Sequence, residues 1–476
     1  MTTPSPDALD ASDPPTSGDR DAVDPPTPDD ASDPLDDFAD LLRDGGDANV
    51  HRTPPVRDPA RRRRAWRALI AVCVVIVVIA GLVGGYVAWA LNAPLPAPVG
   101  TTRELPPPTA GATALALPTD GAYAISVAGG ADYLGEAASG IWQAGAQDEV
   151  RSIASITKLI TALVVLDRHP LADASDPGPT LTFDAADHKL YDKYYVMDAT
   201  IAEMPTGTTM SLHDALATML IPSASNYAEA VAEWAFGSTG GFASAARRWL
   251  AANGLTQTTI VEPTGIDPRN TSTALDMIAL GRLAAANPAI VAITGTGQAT
   301  FDGPGTIVNT NRMLRTHGIT GLKTGTLDEA GSNLLYTATL DVGIGEPLSV
   351  VGVLLGATSS ASVDAGVGGL LDSIVRGFRD VEVARAGTVL GHYATVWGDE
   401  VELVVGETAT LHVWSDTPIA ATTDIREPTR WTDGEQIGTV TLTAGPQSVT
   451  VPVVVRGSIT EPDSRWRLEH PAELVG

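Results

Sequence analysis

The hydrophobic pattern of this chain divides into one long run and many short ones. From residue 68 to 91 no charged residue interrupts the apolar sequence, and Arg61, Arg62, Arg63, Arg64 and Arg67 stand directly before it. The run exceeds the roughly 20 residues that carry a helix across a bilayer. Trp66, Tyr86 and Trp89 lie near its ends, as interfacial aromatics do, and the arginines are expected to stay cytoplasmic. Residues 61–91 therefore predict a basic flank and one transmembrane helix, with the N-terminus cytoplasmic and everything beyond residue 91 extracellular. Ala88-Trp89-Ala90 offers a competing signal-peptidase site. The run is longer than the roughly 7–15 residues of a signal core, which favours a retained anchor in the cell membrane.

Shorter periods follow. Strand-like runs at 121–127 and 140–144 precede an apolar helix over 153–166, which His169-Pro170 stops. Helical periods recur at 212–220, 227–236, 242–253 and 273–286. Residues 170–210 are polar, with 184–195 crowded by charges and tyrosines, and are read as irregular. Runs at 332–340 and 348–355 predict an antiparallel hairpin, and 367–378 a helix packing back on it. Strands on both sides of a helical middle predict an α+β domain with one antiparallel sheet and a helical lobe. From residue 381 the pattern changes again: 401–405, 408–414, 438–442 and 449–454 alternate or run apolar between turns, as in a small all-β domain.

Composition adds the remaining segments. Residues 1–60 are rich in Asp, Pro, Ser and Thr, too poor in apolar surface to offset ordering entropy, and predict a disordered acidic cytoplasmic tail. Residues 92–113 read as a proline-rich linker. That leaves 114–380 as the α+β domain and 381–476 as the β-rich one. A formal charge of −27 argues against a nucleic-acid partner. The single cysteine, Cys73, lies in the apolar run, and the eight histidines are scattered, so neither cysteine chemistry nor a clustered metal site nor a cofactor is expected.

Candidate chemistry sits on the 153–166 helix. Ser155 and Lys158 are three residues apart and share one face of its first turn. A lysine in a dry pocket loses preference for its charged form, from roughly 10.4 downward. Neutral Lys158 can then take the proton of Ser155 and make it a nucleophile. Alone, the pair also reads as a capping serine and a snorkelling lysine on a core helix. Two further motifs change the balance: Pro222-Ser223-Ala224-Ser225-Asn226 at a helix start, and Lys323-Thr324-Gly325-Thr326 leading into the sheet. Ser-x-x-Lys, a Ser-x-Asn-like element and Lys-Thr-Gly in this order form the penicillin-binding and β-lactamase pattern.

On these motifs residues 114–380 resemble the serine D-alanyl-D-alanine carboxypeptidases, the low-molecular-mass penicillin-binding proteins. Segments 261–267, 271–277, 309–312 and 328–331 are similar to that family's connecting segments, and the β-rich tail is similar to its C-terminal domain. The resemblance implies a penicillin-binding-protein/β-lactamase-like transpeptidase fold. It implies that Ser155 attacks the penultimate D-Ala of a peptidoglycan stem peptide ending in D-Ala-D-Ala, with Lys158 as base and Ser223 as proton relay. Lys323 and Thr324 would bind the terminal carboxylate, Lys323 would push the Lys158 pKa down, and Gly325 would leave room for the peptide. The N–H groups of Ser155 and Thr326 would form the oxyanion hole. β-Lactam antibiotics would be covalent inhibitors.

One departure stands out: the family's usual asparagine falls on Ser225, with Asn226 one residue later. Either Ser225 contacts substrate or the loop shifts to aim Asn226 at the cleft. On a helix one residue is about 100° of rotation, so both cannot serve equally. Two other readings compete. A class A-like β-lactamase needs a deacylating glutamate between the second and third motifs; Glu262, followed by Pro-Thr-Gly, lacks that context. A catalytically inactive cell-wall-binding scaffold is disfavoured by the intact Ser155, Lys158 and Lys323.

Overall fold

The computed structural model describes residues 59–108, 111–134, 141–144 and 148–475. The expected acidic tail lies outside them, apart from its last two residues. The chain divides into two compact units, up to Tyr86 and from Val87 on. In the first, helix α1 (Pro59–Asn92, whose last turn enters the second unit) exposes Ile70, Val77 and Leu82 to the surroundings. It is long and apolar enough to cross a membrane. At about 1.5 Å per residue its uncharged part alone outspans the roughly 30 Å hydrocarbon core.

The second unit holds a five-stranded antiparallel sheet. Its strands are β1 (Ala122–Ala128), β2 (Ile141–Ala144), β3 (Ile319–Leu327), β4 (Gly331–Leu340) and β5 (Leu348–Ala357), in spatial order β3-β4-β5-β1-β2. In register, Lys323 opposes Leu335, Leu335 opposes Val353, and Val353 opposes Ala124. Alternation sends the last three into one core, shared with the helical lobe. Their neighbours Leu334, Leu354 and Tyr123 enter a second core on the opposite face.

The lobe is built around α2 (Thr157–Arg168), buried from Thr157 to Leu166. A helix apolar on all sides belongs in the middle of a bundle. Against it lie α4 (Leu212–Leu220), α5 (Ser225–Phe236), the helix Thr239–Ala252 and α6 (Ala274–Ala285), while α3 (Ala185–Val196) packs on α5. Helix α7 (Ser360–Gly377) covers the other face of the sheet with Val367, Leu370, Leu371 and Ile374. α3 occupies the stretch read as irregular. It has almost no apolar stripe, and a capping box between Asp184 and Asp187 starts it instead.

The C-terminal part forms a six-stranded sheet in the order 99–102, 389–394, 400–405, 447–456, 436–444, 419–425, with 378–384 paired to 409–414 beside it. Leu390, Leu403, Val405, Val440, Leu442 and Val453 make its core. Its edge strand, Val99–Thr102, comes from the stretch expected as a linker, and Leu105 of the same stretch is buried in that core. A Cβ on Gly100 would fall 2.2 Å from the His392 carbonyl and 2.5 Å from the Tyr393 ring, so only glycine permits this pairing.

Candidate active site

Ser155 lies in a 3₁₀ turn, Ala154–Ile156, that runs straight into α2. Ala154 holds a left-handed φ of 45°, a conformation unusual for a residue with a Cβ. One turn on, Lys158 is fully buried, and its Nζ lies 3.0 Å from Ser155 Oγ and 2.7 Å from the Thr264 carbonyl. Burial pulls its pKa down to about 7, against an opposing pull from the Glu262 carboxylate. A neutral amine suits these contacts: it donates to the carbonyl and keeps a lone pair for the serine proton.

Register aims Lys323 at the lobe. It is 1% exposed and donates to the Thr324 carbonyl at 3.0 Å. Burial first, and then the charge on Lys158, hold its pKa well below the ordinary lysine value. Burial is the largest cause for both lysines, and their mutual repulsion disfavours carrying both charges at once.

Ser155, Ser223, Thr324, Gly325 and Thr326 line one cleft of about 190 Å³, with Thr200 on one wall and the Arg312–Asp364 pair, 3.3 Å apart, also on its lining. Lys158 and Lys323 lie behind it. Ser223 sits at a turn with φ of 70°, next to the start of α5. The Thr310 and Thr324 hydroxyls are 2.7 Å apart.

Two expected substrate contacts are placed elsewhere. Asn226 is fully buried; its Nδ2 donates to the Ala202 carbonyl at 2.8 Å and its Oδ1 accepts from the Ala202 N–H at 3.1 Å. Ser225 is 2% exposed, and its backbone N–H donates to the Thr200 carbonyl at 2.8 Å. Neither lines the cleft. α5 begins at Ser225, and the helical rotation turns Asn226 into the lobe, where it fixes the segment that carries Thr200.

Gly325 lines the cleft and also meets a packing constraint. A Cβ there would lie 2.8 Å from the Ile153 carbonyl and 3.1 Å from the Ser155 nitrogen. The glycine lets β3 close on the nucleophile turn.

The sequence singled out residues 261–267 and Glu262 but gave no sign that their loop lies beneath Lys158. The Glu262 carboxylate accepts from the N–H groups of Thr264 and Gly265, both at 2.6 Å, from the Thr264 hydroxyl at 2.7 Å and from Asn270 Nδ2 at 2.8 Å. Asn270, fully buried, accepts from the Val261 N–H, and its carbonyl accepts from the Ile153 N–H at 3.0 Å. Gly265 has φ of 85° and packs so near Ala154 that a Cβ would overlap its carbonyl. The loop thus presents the Thr264 carbonyl to Lys158. The acidic residue before Pro263-Thr264-Gly265 was the available sign of a turn held by its own side chain. Among the described residues no cluster of histidine, cysteine and carboxylate side chains could hold a metal ion.

Residues 124–358 match the family model described as D-alanyl-D-alanine carboxypeptidase. The chain is similar to a D-alanyl-D-alanine endopeptidase of Pseudomonas aeruginosa, 31% identical over 202 residues, which cover 41% of this chain and 61% of the relative. A D-alanyl-D-alanine endopeptidase of Escherichia coli is 30% identical over 202 residues, with the same coverage of 41% and 61%. The chain thus spans less than two thirds of the length of these curated relatives. Penicillin binding protein 5 of Haemophilus influenzae aligns with a TM-score of 0.47 at 20% identity, covering 75% of this chain and all of that one.

Proposed function

We propose, from the match of residues 124–358 to the D-alanyl-D-alanine carboxypeptidase family model, that this chain is a membrane-anchored serine carboxypeptidase of peptidoglycan stem peptides. It removes the terminal D-alanine through an acyl-enzyme on Ser155. The observation that carries this reading is the contact of a buried Lys158, with a pKa of about 7, with the Ser155 hydroxyl at 3.0 Å.

In the proposed cycle Ser155 Oγ attacks the carbonyl of the penultimate D-Ala while Lys158 takes its proton. The oxygen that gains charge is met by the N–H groups of Ser155 and Thr326, and the positive end of α2 adds to that field. Ser223 passes the proton from Lys158 to the leaving amine, and the amide bond breaks. Thr324, with Lys323 behind it, holds the terminal carboxylate. Water then cleaves the ester, returning a proton to Ser155 and releasing the shortened stem. No cofactor is needed. α1 crosses the membrane with its arginines inside, and residues 114–380 act outside the cell, followed by a β-rich domain.

The curated relatives are named endopeptidases, which gives a second reading: the same acyl step with a cross-linked stem as leaving group. The β-lactamase alternative is weakened because Glu262 uses its carboxylate on its own loop and is absent from the cleft lining.

A fluorescent penicillin supplies the test. A covalent adduct is expected on the wild-type protein and none on Ser155→Ala; an adduct that survives the substitution refutes the mechanism. Release of D-Ala from a pentapeptide, set beside cleavage of a cross-linked dimer and turnover of penicillin, then separates the three activities.

A further inference from the structure

Among the described residues of α3, Tyr194 is the only buried one. On the adjoining face His188, Tyr191 and Tyr195 recur at i, i+3 and i+7, the spacing that brings side chains together along one helix face. Their ring planes lie within 2° and 10° of parallel, with centroids 6.3 and 6.5 Å apart. At the end of the row Tyr195 is 69% exposed and Val196 85%, and Met197 is exposed beyond them. A soluble surface gains nothing for folding from such a row.

The row is held rigidly. His188 Nδ1 lies 2.8 Å from the Met204 carbonyl, which fixes its ring. The buried Glu229 of α5 accepts from Lys193 Nζ at 2.5 Å and from the Tyr194 hydroxyl. The Ala199 N–H donates back to the Tyr194 carbonyl at 3.0 Å. That turn delivers the chain to Thr200, whose carbonyl accepts from Ser225 and which lines the cleft. The helix that carries the row is therefore joined through residues 197–199 of the chain to Thr200 on the cleft wall, and little ordering entropy remains to be lost on binding.

A row of parallel rings, with His188 and Tyr195 exposed and Tyr191 half-buried between them, suits a partner with flat faces of polarised C–H groups, because the face of an aromatic ring is electron-rich. Pyranose rings have such faces, and their hydroxyl and acetamido edges can bond to polar side chains such as Asp192 and Lys189. A lipid surface fits less well. Asp184, Asp187, Asp192 and Asp198 outnumber Lys189 and Lys193 along the helix, and anionic headgroups attract the reverse balance.

We propose that α3 is a docking platform for a polymer of N-acetylated amino sugars, the glycan strand to which the stem peptide is attached. This rests on the reading that the cleft takes stem peptides: the strand then continues from the bound peptide across the adjoining helix. The platform raises the local concentration of stems at Ser155 and takes no part in the chemistry.

The test compares the full-length wild type with Tyr191→Ala/Tyr195→Ala and with Tyr195→Trp. Three readouts are needed: D-Ala release from a free pentapeptide, D-Ala release from the same pentapeptide on glycan strands, and sedimentation with glycan strands stripped of stems. The double variant is expected to lose about tenfold on glycan-linked stems, from two lost ring contacts. It should keep wild-type kcat/KM on the free peptide and lose sedimentation with stripped strands. Tyr195→Trp, which retains a ring face, should retain all three. Equal rates on glycan-linked stems, or equal loss on both substrates, overturn the platform. So does loss of self-association or of binding to anionic vesicles without loss of glycan binding. If the wild type releases D-Ala from neither substrate, the peptidase reading fails, and sedimentation with stripped strands still decides the platform.

Discussion

Replacing Gly325 with alanine tests how closely the sheet and the nucleophile turn are fitted. The new Cβ would sit 2.8 Å from the Ile153 carbonyl oxygen, 3.1 Å from the Ala154 Cβ and 3.1 Å from the Ser155 nitrogen. Two of these neighbours are backbone atoms, so no side chain can swing aside. Reaching ordinary contact, about 3.5 Å, moves β3 and the turn apart by roughly half an ångström. Overpacking of this kind costs about 1–3 kcal/mol. In a domain of this size each kcal/mol lowers Tm by about 2–4 °C. The same displacement shifts Ser155 against Thr326 across the cleft. A misplacement of about 1 Å costs on the order of a hundredfold in rate, so half of it predicts roughly tenfold slower acylation. Stopped-flow labelling with a fluorescent penicillin and thermal unfolding measure the two effects on one sample. Wild-type acylation with unchanged Tm would refute the close approach. Slower peptide turnover with normal acylation and normal Tm would instead make Gly325 chiefly a space for the peptide.

Three further outcomes follow from the site. Only neutral Lys158 can take the Ser155 proton, so acylation should rise as pH increases through about 7 and level off above it; Lys158→Arg, charged at every accessible pH, should show no such limb and about background labelling. Glu262→Gln removes the charge that favours protonated Lys158, so the Lys158 pKa falls and the rising limb moves to lower pH. The introduced amide would also face donors that now meet a carboxylate, at a cost of about 1–3 kcal/mol read by thermal unfolding. Asn226→Ala strands both backbone groups of Ala202 and should lower Tm and slow acylation through the Thr200 wall, whereas Ser225→Ala should change acylation by less than about twofold. Equal effects of the two substitutions would place the cleft contact differently.

Where the sequence was legible, the spacing of residues alone determined the contact. Ser155 and Lys158 meet because three residues are about one helical turn, and the alternation of β4 and β5 separates their two cores. Asn226 depended on where α5 begins, which its tie to Ala202 decides, and that tie is invisible in a local window. α3 was hidden because its capping box and the Glu229 contacts hold it where an apolar stripe normally would. The Glu262 loop joins residues about a hundred positions from Lys158, and no periodicity reports such a meeting. The strand over residues 99–102 was masked by flanking prolines, which edge positions tolerate.

That edge strand has a mechanical consequence. Val99 pairs with Ala394 and Thr102 with Gly391, and the Arg103 N–H donates to the Leu390 carbonyl at 2.7 Å. Tension drawn along the chain from the α1 end meets the packing of Ala90 and Ala93 on Leu474 and the Arg467 bond to the Ala93 carbonyl first, and the four paired residues must then also yield before strain reaches β1 and the Ser155 turn. A chain shortened to begin at residue 114 would lose this clasp. It would leave the strand 389–394 with a bare row of N–H and C=O groups, open to pairing with a second molecule.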